Sequence, residues 1–280
     1  CDKLRSDMWS DTDLTIHPHD FIDTFIKTAI KKDRQLFTGY RQNDTSEFLQ
    51  FCIECFHTAL SRPVTIEITG DIQNNTDTLA KKCYNVFKQM YSKEWSEIIP
   101  LFYGMEVTKI ESLESNYVNY NPVPFFNLCL EIKGFNNLYS CLDSYTSYET
   151  LNDDNTIYIE ETNRRERIQK SIQFFNLPKV LVISLKRFTN RNNKITTFID
   201  FPLTLDMNKY ICGYNNKSNM FELYGVCNHL GNTNGGHYTS YVKIANDEWY
   251  EFNDTSTRKI NINEIKSQYS YCLFYRKQYN

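Results

Sequence analysis

Apolar positions along this chain change period once, near residue 100. Before that point they recur at helical spacing. Phe21, Ile22, Phe25, Ile26, Ala29 and Ile30 form one apolar face behind His19 and Asp20, which predicts a helix. Asp44-Thr45-Ser46-Glu47 has the spacing of a capping box and predicts the start of a second. Its buried side is expected to carry Phe48, Phe51, Cys52, Cys55, Phe56 and Ala59. A third helix is expected around Leu79, Cys83, Phe87 and Met90. From Leu101 onward the spacing is that of strands. Val107 to Ile110 and Phe126-x-Leu128-x-Leu130-x-Ile132 alternate with period two. A short helix near Tyr139 to Tyr145 and a polar loop at Asn152 to Asn155 interrupt them. Strands are then expected at Ile157 to Ile159, Ile172 to Phe174, Val180 to Leu185, Phe221 to Val226, His237 to Val242, Trp249 to Phe252 and Tyr271 to Tyr275. Helices first and strands afterwards predict the α+β class.

Composition narrows this picture without changing it. A chain of 280 residues buries roughly 75% of the surface its unfolded form exposes, enough for a large core. Its 20 Tyr and 19 Phe argue against disorder. A net charge of -3 offers no broad basic field, so no nucleic-acid partner is expected. The longest apolar run, Val180-Leu181-Val182-Ile183, suits a buried strand, and no membrane partner is expected. Nine cysteines are scattered without a disulfide rhythm, which predicts reduced thiols in a cytoplasmic, or also nuclear, setting. The opening Cys1-Asp2-Lys3-Leu4-Arg5 is neither a signal peptide nor an initiator methionine, so the sequence reads as a fragment.

The chemistry concentrates near the end. Gly235-Gly236-His237-Tyr238 opens one expected strand, and Trp249-Tyr250-Glu251-Phe252-Asn253-Asp254 closes the next. Adjacent strands can bring His237 and Asn253 face to face, the amide holding the imidazole in one tautomer. That is the base and orienter of a nucleophilic triad. The two glycines let the backbone approach a ligand closely. Other chemistry-bearing residues read as structural: Cys52-x-x-Cys55 and Cys227 as core packing, His17 and His19 as surface residues at a helix start.

Several separated segments resemble the ubiquitin-specific proteases. Gln42-Asn43-Asp44-Thr45-Ser46-Glu47-Phe48-Leu49 is similar to their Q-x-D-A-x-E-F-L helix start. Leu177-Pro178 through Leu185-Lys186-Arg187-Phe188 resembles their L-P-x-x-L-x-x-x-L-K-R-F strand, with Phe201-Pro202 following. Leu223-Tyr224-Gly225-Val226, His229-x-Gly231, Gly236-His237-Tyr238 and Trp249-Tyr250-x-Phe252-Asn253-Asp254 resemble their histidine box. Tyr271 to Tyr275 is similar to their closing strand. The resemblance implies a single papain-like catalytic domain shaped as a hand. A helical thumb would occupy about 1–98, β fingers about 99–176 and a β palm about 177–280. It implies cleavage after the C-terminal glycine of ubiquitin, with ubiquitin or ubiquitinated proteins as partners and no cofactor.

By the same resemblance His237 is the base, Asn253 its orienter, and Asp254 a second orienter or a support for the oxyanion site. Gln42, Asp44, Glu47, Gly236 and Tyr238 would contact the arginine-bearing ubiquitin tail or the scissile region. His229 to Gly235 would be a mobile blocking loop. The family's cysteine box, G-N-T-C-Y-x-N-S, which also supplies an oxyanion-binding asparagine, has no match in the sequence. It is therefore expected upstream, with Cys1 as a weaker alternative nucleophile. Relatives hold a finger zinc through two C-x-x-C pairs. The aligned positions here are Ser112, Ser115, Ile159 and Thr162, which cannot bind zinc as thiolates, so no metal is expected. The tip would then rely on strand pairing and on Tyr117, Tyr120 and Tyr158. The alternative function is a ubiquitin-binding pseudoenzyme or scaffold, in which the nucleophile is truly missing. An intact base and orienter argue against it.

Overall fold

A computed structural model describes residues 2–8, 16–39, 42–151, 156–191, 193–214, 218–233 and 235–279. Cys1, the expected 152–155 loop and Asn234 lie outside the described residues. The chain packs as two units, Cys1–Phe51 and Cys52–Asn280, divided within the helix Thr45–Leu60.

In the first unit, α1 (Asp2–Met8) and α2 (His19–Lys31) precede the start of α3 (Thr45–Leu60). Phe25 joins α2 to α3, its ring centroid lying 5.9, 5.2 and 5.3 Å from those of Phe37, Phe48 and Phe51. Such offset and edge-on pairs contribute beyond their buried area. The apolar face of α2 is narrower than its spacing predicts. Ala29 is buried, whereas Ile22 and Ile30 are exposed. In α3 Phe51 and Ile53 are buried on opposite sides of the helix, whereas Phe48 and Phe56 are exposed.

The second unit continues with α4 (Asn75–Tyr91), α5 (Ile98–Phe102) and the strands. An unforeseen capping box starts α4: the Asn74 side chain accepts from the Asp77 amide while Asp77 accepts from that of Asn74. Leu79, Ala80 and Cys83 then pack against Met105, Val107 and Phe175, while Met90 stays exposed.

One four-stranded sheet has the order β2 (Val118–Phe125), β1 (Gly104–Ser112), β7 (Ile168–Asn176), β4 (Glu149–Leu151). The sequence hides β2, because Pro122 and Pro124 remove ladder donors. As an edge strand it tolerates both. A two-stranded ribbon, β5 (Ile157–Ile159) with β6 (Arg164–Glu166), stands apart.

The larger sheet runs β13 (Ser256–Ile260), β12 (Trp249–Asn253), β11 (Gly235–Lys243), β10 (Met220–Asn232), β14 (Ser270–Lys277), β8 (Val180–Lys186), β3 (Asn127–Glu131), with β9 (Thr204–Asp206) also on β10. β8 lies between antiparallel β14 and parallel β3, and its continuous apolar run suits burial on both faces. The core gathers Leu128, Leu130 and Ile132 with Leu181, Ile183, Leu185 and Leu273, and α6 (Leu138–Thr146) adds Leu138, Cys141 and Leu142.

Candidate active site

The site is built on the outer end of the larger sheet. β11 and β12 pair antiparallel with Ser240 opposite Phe252. Continued outward, this register sets Asn253 diagonal to His237 on the same face. Diagonal neighbours lie within reach of each other's side chains. His237 Nε2 stands 2.7 Å from Asn253 Oδ1. An amide oxygen only accepts, so Nε2 carries the proton and Nδ1 is the basic nitrogen. The imidazole side chain is 44% exposed, open to a reacting partner.

Asp254 follows in a tight turn between β12 and β13, with φ of 49°. Aspartate is among the residues that occupy this left-handed region most readily. Its Oδ2 is 3.9 Å from His237 Nε2, too far for a hydrogen bond. It stands on the Asn253 side of the ring, and being anionic it would oppose an oxyanion.

The segment expected to be a mobile blocking loop is paired structure. β10 continues through Asn232, with His229 opposite Tyr238, Leu230 opposite His237 and Gly231 opposite Gly236. Thr233 follows as a turn residue, and Asn234 lies outside the described residues. Alternation along the strands puts His237 on one face, and Gly236, Tyr238 and His229 on the other. His229 is buried, its ring centroid 4.8 Å from Tyr238, 5.5 Å from Phe188 and 5.8 Å from Tyr271. A Cβ on Gly236 would stand 2.2 Å from His229 Nε2 and 2.6 Å from Leu230 O. The glycine is thus required by its own neighbour, an intramolecular role the sequence did not reveal. Tyr238 likewise packs on the face away from His237.

Gln42, Asp44 and Glu47 lie in the first unit. Asp44 Oδ1 accepts from the amides of Ser46 at 2.7 Å and Glu47 at 3.3 Å, the bonding of an N-cap. Gln42 and Glu47 are exposed.

Eight cysteines fall among the described residues, and none is in a disulfide. Burial pushes the thiols of Cys52, Cys141 and Cys212 up to about 11 and that of Cys83 to about 12. A nucleophilic thiol needs the opposite shift, so these four are structural.

The four positions aligned with zinc ligands do not fit the metal. Ile159 is buried and apolar. Ser112 and Ser115 both donate to Glu166 Oε2, the latter at 2.6 Å, and Thr162 bonds the same carboxylate. Arg164 Nε donates to Glu166 Oε1 at 2.9 Å. These hydroxyl and guanidinium donors, Ser112 first among them, hold Glu166 down at about 2 although its side chain is fully buried. The tip is tied by the expected strand pairing of β5 with β6 and by a carboxylate knot, where the sequence had also suggested tyrosine packing. Tyr158 is in fact 54% exposed.

Comparison with known proteins accounts for this arrangement. A family model described as "Ubiquitin carboxyl-terminal hydrolase" matches residues 1–275. "Ubiquitin carboxyl-terminal hydrolase 2" of Gallus gallus is 32% identical over 98% of this chain and 78% of its own length. The Homo sapiens protein of the same name is 31% identical over 98% of this chain, which spans 46% of that longer protein. Among solved structures, the "SAGA Ubp8/Sgf11/Sus1/Sgf73 DUB module bound to ubiquitin aldehyde" superposes with a TM-score of 0.76 at 27% identity. That match covers 99% of this chain and 58% of the solved one. The α+β fold is shared with that structure, and the chain belongs to the ubiquitin carboxyl-terminal hydrolase family.

Proposed function

We propose that the protein is a cysteine-type deubiquitinase cleaving the bond after the C-terminal glycine of ubiquitin. The observation that carries this reading is the 2.7 Å pairing of His237 Nε2 with Asn253 Oδ1, which leaves Nδ1 basic on an exposed ring. The thiol would come from a cysteine box upstream of residue 1. Nδ1 takes the thiol proton, and the sulfur attacks the glycine carbonyl carbon. The imidazolium then returns that proton to the leaving amine as the C–N bond breaks. A thioester remains; Nδ1 next deprotonates water, which displaces the thiol. Asn253 keeps the ring oriented throughout, and Asp254 acts as a second, electrostatic orienter of the imidazolium. Asp44, with Gln42 and Glu47, binds the arginine-bearing ubiquitin tail, while Gly236 and Tyr238 shape the hairpin beside the scissile bond. The reduced thiols suit a cytoplasmic or nuclear location.

The test is hydrolysis of a fluorogenic ubiquitin conjugate by the full-length protein. Turnover that disappears in His237→Ala is expected. Tight ubiquitin binding without turnover would instead identify a pseudoenzyme.

A further inference from the structure

We infer that Lys194 is a positioning residue that holds the hairpin bearing His237, an inference that rests on the proposed activity. β10 outlasts its neighbour β14, whose last register pair is Ser270 with Asn228. The His229 amide still reaches Tyr269 O at 2.9 Å. Farther out, β10 meets no strand on that side among the described residues. Carbonyls of alternate residues point the same way, so His229 O and Gly231 O both face this gap. Lys194 Nζ fills it, donating to His229 O at 2.6 Å and to Gly231 O at 3.0 Å. Between those carbonyls lies Leu230, the residue directly opposite His237. One ammonium thus stands in for the missing strand where the catalytic base is carried.

Lys194 is itself fixed. It bridges back to Phe188, and the Ile195 amide donates to Arg187 O at 2.6 Å. Arg187, fully buried, donates to Ser270 O at 2.6 Å, Ile195 O at 3.0 Å and Thr197 O at 2.9 Å. Among the described residues no salt bridge involves Lys194 or Arg187. Burial, and then the Arg187 charge, push the Lys194 ammonium down. A cation desolvated without a carboxylate is held by the carbonyls it bonds. The His229 ring completes the clamp from the face opposite His237.

The experiment uses the full-length protein with Lys194→Met, which keeps the stem and removes the charge, and Lys194→Arg, which keeps the donors. Because small misplacements of a catalytic group can cost about 100-fold, Lys194→Met is expected to lower kcat between about 10- and 100-fold. KM and ubiquitin binding should stay near wild type, and amide exchange should rise across 229–238. Lys194→Arg should recover most of kcat. Wild-type kcat and exchange in Lys194→Met would overturn the inference. So would a loss that follows the melting temperature and is not rescued by arginine. If the wild-type protein turns over no ubiquitin conjugate, the deubiquitinase reading fails by itself. Amide exchange then still decides whether Lys194 holds the hairpin, and unchanged exchange in Lys194→Met would overturn it.

Discussion

Two hydrogen-bonded clusters, one at the finger tip and one at the sheet end, use similar chemistry to opposite ends. At the tip, Glu166 is fully buried and takes bonds from Ser112, Ser115, Thr162 and Arg164. Its oxygens are occupied and its charge is fixed. At the sheet end, His237 is 44% exposed and is oriented through Nε2 alone, with Asp254 3.9 Å away. Saturating a group locks it into structure; orienting it at one atom leaves the other available for reaction. The number of partners and the exposure, more than the residue type, separate the structural Glu166 from the His237 proposed as the catalytic base.

The largest expected effect tests the catalytic half directly. His237→Ala in the full-length protein should lower kcat/KM for a ubiquitin conjugate by several orders of magnitude. Its circular dichroism and melting temperature should stay unchanged, since the ring is half exposed. Asn253→Ala should cost less. Losing one hydrogen bond to a charged group removes about 1.5–3 kcal/mol, or about 10- to 150-fold in rate. Asn253→Asp should retain most activity, because a carboxylate also accepts from Nε2–H. Equal activity in Asn253→Ala and wild type would remove the orienter from the mechanism.

Asp44 lies between the two categories, an N-cap proposed to bind substrate as well. Asp44→Asn should weaken ubiquitin engagement by roughly 10–100-fold through a lost charge-assisted bond. Asparagine caps helices well, so the melting temperature should barely move. The reverse outcome, lower stability with unchanged kcat/KM, would leave Asp44 only a cap.

The knot is tested by acid and by metal removal. The carboxyl of Glu166 is depressed from 4.5 to about 2 on folding, so its stabilisation is fully present above about pH 4.5. It is lost as pH falls from there toward 2. Glu166→Gln should flatten that part of the stability profile and raise amide exchange at 112–117 and 159–166. The smallest expected effect is none: a chelator should leave the melting temperature of the purified protein unchanged. A drop with chelator, or one zinc per chain by elemental analysis, would mean the finger tip is held by metal after all.

Much of the architecture is legible in local pattern. The apolar run of β8, the alternation of β3 and the helical spacing before residue 100 each depend on neighbours a few positions apart. Pro122 and Pro124 hide β2 because their tolerance depends on being at an edge, which only the assembled sheet defines. Likewise Ile22 and Ile30 have the spacing of core residues, yet the packing around Phe25 leaves them exposed. His237 and Asn253 were readable as a pair because one short connection separates their strands.

Composition and spacing by themselves determined the α+β class, the helix and strand sequence, and the residue types for a histidine base with an amide orienter. Tertiary structure decided what those residues touch. The loop expected after His229 became a strand because β11 pairs with it through Asn232. Gly236 became a packing requirement because the His229 ring occupies the space of a Cβ. Glu166 meets Ser112 across 54 positions and Lys194 meets His229 across 35. Such contacts carry no local periodicity. They exist only once register and sheet order are fixed, because long-range pairing brings side chains together irrespective of their spacing along the chain.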